Sequence, residues 1–79
     1  MINVLFFGPV ADAVGSRRID VAFVAGMSLH DLRAQLQALH PEAFALVSLA
    51  AVDGAQVRDM ALPLADNSEV VFMSKFSGG

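Results

Sequence analysis

Hydrophobic positions recur along this chain at two periods, and the switch between them marks out the elements. From Ile2 to Phe7, Ile2, Val4 and Phe6 fall on one alternating face, and Leu5 and Phe7 join Asn3 on the other. A strand apolar on both faces is expected to be covered on both sides. Gly8-Pro9 stops it, because proline cannot donate to a β ladder. Val10 to Val14 fits one loose helical turn, and Gly15-Ser16 supplies turn chemistry. Arg17 to Phe23 alternates cleanly, with Ile19, Val21 and Phe23 opposite Arg18, Asp20 and Ala22, which predicts a half-buried strand. The first two strands are expected to form an antiparallel hairpin.

The period then lengthens. Leu29, Leu32, Leu36 and Leu39 recur at helical spacing and predict one apolar stripe. Ser28 can cap the first turn with Asp31 three residues on, and Met27 and Leu32 occupy the staple positions on either side. His40-Pro41 ends the helix, since the residue before proline avoids the helical region. A single amphipathic helix is unstable alone, so its stripe must lie on a sheet. Glu42 to Val47 fits either a loop or a short second helix. Leu49 to Val52 reads as a short buried strand, Asp53-Gly54 as a hairpin turn, and Ala55 to Arg58 as the returning strand. A loop spans Pro63 to Ser68. Glu69 to Met73 is the last strand, again apolar on both faces, with Val70 and Phe72 opposite Val71 and Met73. The order β-β-α-β-β-β predicts an α+β fold with one main helix across one face of the sheet. The first and last strands are expected to pair in its centre, so that the chain leaves from one end.

Composition narrows the chemistry. The chain has 79 residues and no cysteine. It has room for one small core, no disulfide and no thiol nucleophile. The formal net charge is −3, and the basic residues are scattered, which argues against nucleic acid as a partner. Hydrophobic residues make up 56%, more than so small a body can bury, so part of them is expected to cover a partner surface. The longest apolar stretch, Phe44 to Val52, is far short of the roughly 20 residues a membrane span needs. Nor does the start of the chain resemble an export signal. The cytoplasm is the expected location.

The candidate working part is the end of the chain, Phe76-Ser77-Gly78-Gly79. Two glycines make a thin backbone that can enter a narrow active site, and Gly79 carries the terminal carboxylate. Residues 1–75 are expected to form the folded domain and 76–79 a flexible tail. Counted from Lys75, the extended segment spans about 17 Å, enough to enter a buried pocket while the body stays docked outside. Phe7 and Met73, opposite the strand face assigned to the core, are the candidate partner surface together with Lys75, Phe76 and Ser77 at the root of the tail. Lys75 is the sole lysine. A modified or isopeptide-forming role is conceivable for it, and a charge contact or plain solvation is the simpler expectation. His30 and His40 are too far apart for a helical metal pair. Gly8 and Gly15 do not form a phosphate-binding loop, and Ser16, Ser48 and Ser77 lack a nucleophile motif. No metal site and no bound cofactor are expected.

Five segments in this order carry a resemblance. They are Val4-Leu5-Phe6-Phe7-Gly8, Ala13-Val14-Gly15, Ser28-Leu29 with Leu32, Leu64 to Val70, and Phe76-Ser77-Gly78-Gly79. Together they resemble the ubiquitin-like β-grasp sulfur carriers, most closely the molybdopterin synthase small-subunit family. The resemblance covers the whole chain and implies a mixed sheet of β-grasp type. It further implies that an E1-like adenylyltransferase uses ATP to adenylate the Gly79 carboxylate, with Gly78 providing slimness beside it. Sulfur then displaces AMP to leave a thiocarboxylate. The main catalytic site would belong to a large synthase subunit, with which this chain would form a heterotetramer. The chain departs from the family where Ser74-Lys75 replaces a usual proline pair. It departs again where Asp66-Asn67-Ser68 replaces Asp-Gly-Asp, although Asn tolerates positive φ nearly as glycine does. A carrier for thiazole or another sulfur pathway, a β-grasp binding module and a protein modifier are the alternatives left open.

Overall fold

The strands nearest the two ends of the chain lie side by side in the middle of the sheet. In the computed structural model, which describes residues 1–75, β1 (Ile2–Phe6) pairs in parallel with β5 (Glu69–Met73). β2 (Arg18–Val21) flanks β1, while β3 (Leu49–Val52) and β4 (Ala55–Val57) extend the other side, giving the order β2-β1-β5-β3-β4. Every pairing except β1–β5 is antiparallel. This is the expected mixed sheet, with the first and last strands central and the first two forming a hairpin.

Helices cover one face. α1 (Gly8–Val14), α2 (Leu29–Leu39) and α3 (Pro41–Phe44) bury Val10, Leu29, Leu32, Leu36 and Phe44 in one cluster with Ile2, Val4, Phe6, Val70 and Phe72. Phe6, Phe44 and Phe72 meet as a triad, with ring centroids 5.0 to 6.4 Å apart. Burying each such side chain contributes about 1.5–3 kcal/mol.

Local chemistry explains the boundaries. The capping box at Ser28 is complete: its hydroxyl accepts from Asp31 N–H at 3.2 Å, and Asp31 Oδ2 accepts from Ser28 N–H at 2.9 Å. The Ser28 backbone N–H, and after it the Ser28 hydroxyl, hold the Asp31 carboxyl below its ordinary pKa. Asp53 and Gly54 both take positive φ, 49° and 86°, as a two-residue hairpin turn of this kind requires. Asn67 also takes the left-handed region, φ 69°, in the position where the resembling family uses glycine.

Several expectations need correction. α1 is a seven-residue helix rather than a loose turn. Pro9 in its first turn gives up an N–H that would have had no helical partner anyway, and Gly15 at φ 86° closes it by donating to the Ala11 carbonyl at 2.9 Å. β2 is shorter than Arg17 to Phe23 because its ladder with β1 ends at Val21 opposite Ile2. Of the two options for Glu42 to Val47, a short helix forms, starting at Pro41. Leu39 leaves the predicted stripe and is 67% exposed. The chain turns at His40 into α3, whose Phe44 takes the core position instead.

The largest correction concerns the central strands. They are apolar on both faces, yet all the helices lie on one, and Leu5, Val71 and Met73 are only half-buried. One segment escaped the sequence reading. Residues 59–64 run across the start of α2, where Leu62 and Met60 carbonyls accept from Leu29 and His30 N–H at 2.9 and 2.8 Å. Leu64 N–H returns a bond to the Met27 carbonyl at 3.0 Å.

Candidate functional site

The register of the sheet sorts its uncovered face into rows. One row runs Arg18, Leu5, Val71, Ala51 and Gln56 across the strands. The next pairs Met73 with Leu49. Phe7 continues the extended backbone of β1, at φ −131° and ψ 155°, and the parallel register sets it level with Met73. In the other direction the face turns polar. Asn3 stands between Asp20 and Glu69, its Oδ1 accepts from the Arg18 guanidinium at 3.0 Å, and Arg18 lies 3.5 Å from Asp20. Because β1 and β5 are parallel, their ends coincide. The apolar half of the face therefore lies at the end where the chain leaves the sheet.

Phe7 and Met73, chosen from alternation alone, thus share one end of one face. Phe7 is 50% exposed and Met73 half-buried. Lys75 is exposed beyond β5 and forms no ion pair with any described residue. Phe76, Ser77, Gly78 and Gly79 lie outside the described residues. Sequence reasoning put Leu5 beside Phe7 and Val71 beside Met73 without naming them as partner surface, and missed Leu49 and Ala51. The available signal was the single long amphipathic helix, which can cover only one side of five strands.

Ser74 was also missed. It continues the core-facing set of Val70 and Phe72, is 8% exposed, and its hydroxyl finds no hydrogen-bond partner among the described residues. Among the described residues no three His, Cys, Asp or Glu side chains gather where they could hold a metal, and no helix is long and apolar enough to cross a membrane. The described surface offers contact area at the exit of the chain and no constellation of catalytic groups.

The topology defines an α+β fold of the ubiquitin-like β-grasp type. The ThiS family model matches residues 4–79, and the chain belongs to that family. Solved structures agree on the fold. SAMP1 from Haloferax volcanii superposes with a TM-score of 0.82 at 19% identity, covering 99% of this chain and 98% of that one. A Pyrococcus furiosus protein assigned as subunit 1 of molybdopterin converting factor gives 0.82 at 18%, covering 92% and 94%. The complex of subunits 1 and 2 of the molybdopterin-converting factor from Helicobacter pylori contains a chain matching at 0.70 and 23%, covering 99% and 97%. A comparison with curated protein sequences finds no match.

Proposed function

We propose that this chain is a sulfur carrier, the small subunit of a molybdopterin synthase. In this reading the Gly79 carboxylate attacks the α-phosphate of ATP on an E1-like partner, releasing pyrophosphate and forming an acyl-adenylate. A sulfide equivalent displaces AMP and leaves a thiocarboxylate. A large subunit then holds the tail beside the pterin precursor, which takes the sulfur. The chain acts as the reagent, with Gly78 keeping the backbone slim beside the reacting group. ATP, phosphate and pterin contacts belong to the partners.

One observation carries the reading: the parallel β1–β5 pair brings the exit of the chain and an uncovered apolar surface to the same end of the sheet. A docked protein would cover Leu5, Phe7, Val71 and Met73 while the tail entered its active site. The Helicobacter match, itself part of a two-subunit complex, supports a large subunit as that protein. Incubation with an activating enzyme, ATP and a sulfur donor should give the intact-mass increase of one oxygen exchanged for sulfur, absent after deletion of Gly79. An unchanged mass across several activating enzymes would sink the carrier reading. The SAMP1 likeness favours a second reading, protein modification. In that case the chain would appear in cells joined through Gly79 to lysines of other proteins, rather than purifying with a large synthase subunit.

A further inference from the structure

We propose that the cleft at the open end of the β3–β4 hairpin receives a carboxylate carried on an apolar segment of a partner protein. The ladder between β3 and β4 stops at Ala50 and Val57. Beyond that pair the strands part around an open cleft of about 420 Å³, walled by Leu49, Ala50, Val57 and Met60 with Ser48 and Gln56, and bordered by Arg33 and Arg58. Arg33 reaches it from α2, its guanidinium carbon 6.0 Å from the centre of the Phe44 ring.

These arginines differ from Arg18, whose guanidinium already has Asn3 and Asp20 beside it. Among the described residues neither Arg33 nor Arg58 has an ion-pair partner. Asp59, next to Arg58 in the chain, accepts instead from Ala61 N–H at 2.9 Å. A chain of net charge −3 thus sets two arginines, without ion-pair partners among the described residues, at one cleft whose lining is mixed polar and apolar.

The chemistry favours carboxylate. Phosphate sites draw on free backbone N–H groups at helix starts, and those of α2 are taken. Leu29 and His30 donate to Leu62 and Met60, Asp31 to the Ser28 hydroxyl, and Leu32 to the Ser28 carbonyl. What remains is guanidinium, whose planar fork matches a carboxylate as well as a phosphate, set beside Leu49, Ala50, Val57 and Met60, which suit the apolar neighbours of an acidic side chain, and beside Ser48 and Gln56. Leu49 lines the cleft and also stands beside Met73 on the uncovered sheet face. Leu49 joins the two, so the inference rests on the docking role given to that face.

The test titrates the full-length ¹⁵N-labelled protein with a capped Leu-Glu-Leu peptide and, separately, with inorganic phosphate. The peptide should produce saturable shifts at Arg33, Ala50 and Arg58 and none comparable at Arg17 and Arg18. Arg58→Gln, and the double variant with Arg33→Gln, should weaken binding about fivefold or more. Arg58→Gln is informative on its own, because Arg33 also contacts Phe44. No saturable response at the cleft, an equal response at Arg17 and Arg18, a response to phosphate but not to peptide, or unchanged binding in the variants would each overturn the proposal. Sulfur loading at Gly79 is a separate readout, so failure there removes the carrier assignment without touching the cleft result.

Discussion

The two faces of β1 and β5 use nearly the same residue types and meet opposite fates. On one, Ile2, Val4, Phe6, Val70 and Phe72 are fully buried beneath three helices. On the other, Leu5, Phe7, Val71 and Met73 stand half-buried or exposed with no element above them. Side-chain polarity therefore does not say who covers a strand. One face is satisfied by the chain itself, and in the proposed function the other is the surface a partner would cover. Exposed apolar area that is contiguous, and placed beside the exit of the chain, marks an interaction site rather than a packing fault.

The contrast breaks most visibly on the covered face. Phe72 is fully buried and touches both Phe6 and Phe44. Phe72→Ala should cost about 3–5 kcal/mol by lost transfer energy and cavity formation, much of the total stability of a small domain. Urea denaturation should show the midpoint collapse. Val71→Ala, one residue along and half-buried on the other face, should lose clearly less; equal losses would mean that both faces belong to the core.

The uncovered face should fail in binding rather than folding. Phe7→Asp is the sharpest probe, because Phe7 occupies the N-cap of α1 without any side-chain cap bond. Aspartate is a favoured N-cap and can contribute about 0.5–2 kcal/mol there, offsetting the small loss of a half-exposed ring. Thermal unfolding should move little, while affinity for the large subunit should fall about tenfold or more, as for a truncated interface anchor. Wild-type affinity in a folded variant, or a variant that unfolds, would remove Phe7 from the docking surface.

How much of this was legible depended on whether the cause was local. The capping box at Ser28 and Asp31, the Asp53-Gly54 turn and the positive φ of Asn67 are all set by a few adjacent residues, and the sequence announces each. The central pairing of β1 and β5 also followed, because doubly apolar strands do not sit at edges. Leu39 was not legible, since its burial depends on where α3 turns in. Residues 59–64 were missed for a related reason: their bonds go to the start of α2, some thirty residues earlier in the chain. The candidate site was half readable. Alternation put Phe7 with Leu5 and Met73 with Val71, but only the register showed that the two pairs share one face and that Leu49 and Ala51 join them, and Gly78 and Gly79 lie outside the described residues.

A smaller effect tests the covered face through pH. Asp31 accepts from Ser28 N–H and is fully exposed, and its pKa is lowered from 3.8. A depressed folded pKa gives stability that is present above the ordinary value and lost as pH falls through the lower folded one. Unfolding followed between neutral pH and pH values below the ordinary carboxylate range should therefore show an acid-side decline that is shallower in Asp31→Asn. A decline of equal slope in the variant would assign the acid sensitivity to other carboxylates, such as Asp66, whose pKa is lowered by its bond to the Met1 ammonium.

The smallest effect sits where the two faces end. Ser74 follows Val70 and Phe72 on the covered side, so strand alternation drives its side chain inward even though the sheet pairing has stopped at Met73. Its hydroxyl is buried without a partner among the described residues, and an unpaired buried polar group costs about 1–3 kcal/mol in desolvation. Ser74→Ala removes that cost and leaves a side chain of similar volume. It should therefore be neutral or stabilising by up to about 1 kcal/mol, opposite in sign to truncation two residues earlier at Phe72. A destabilised Ser74→Ala would show that the hydroxyl is bonded in solution, to water or to the segment beyond Lys75. In that event Ser74 would be fastening the root of the tail to the body instead of merely closing the core.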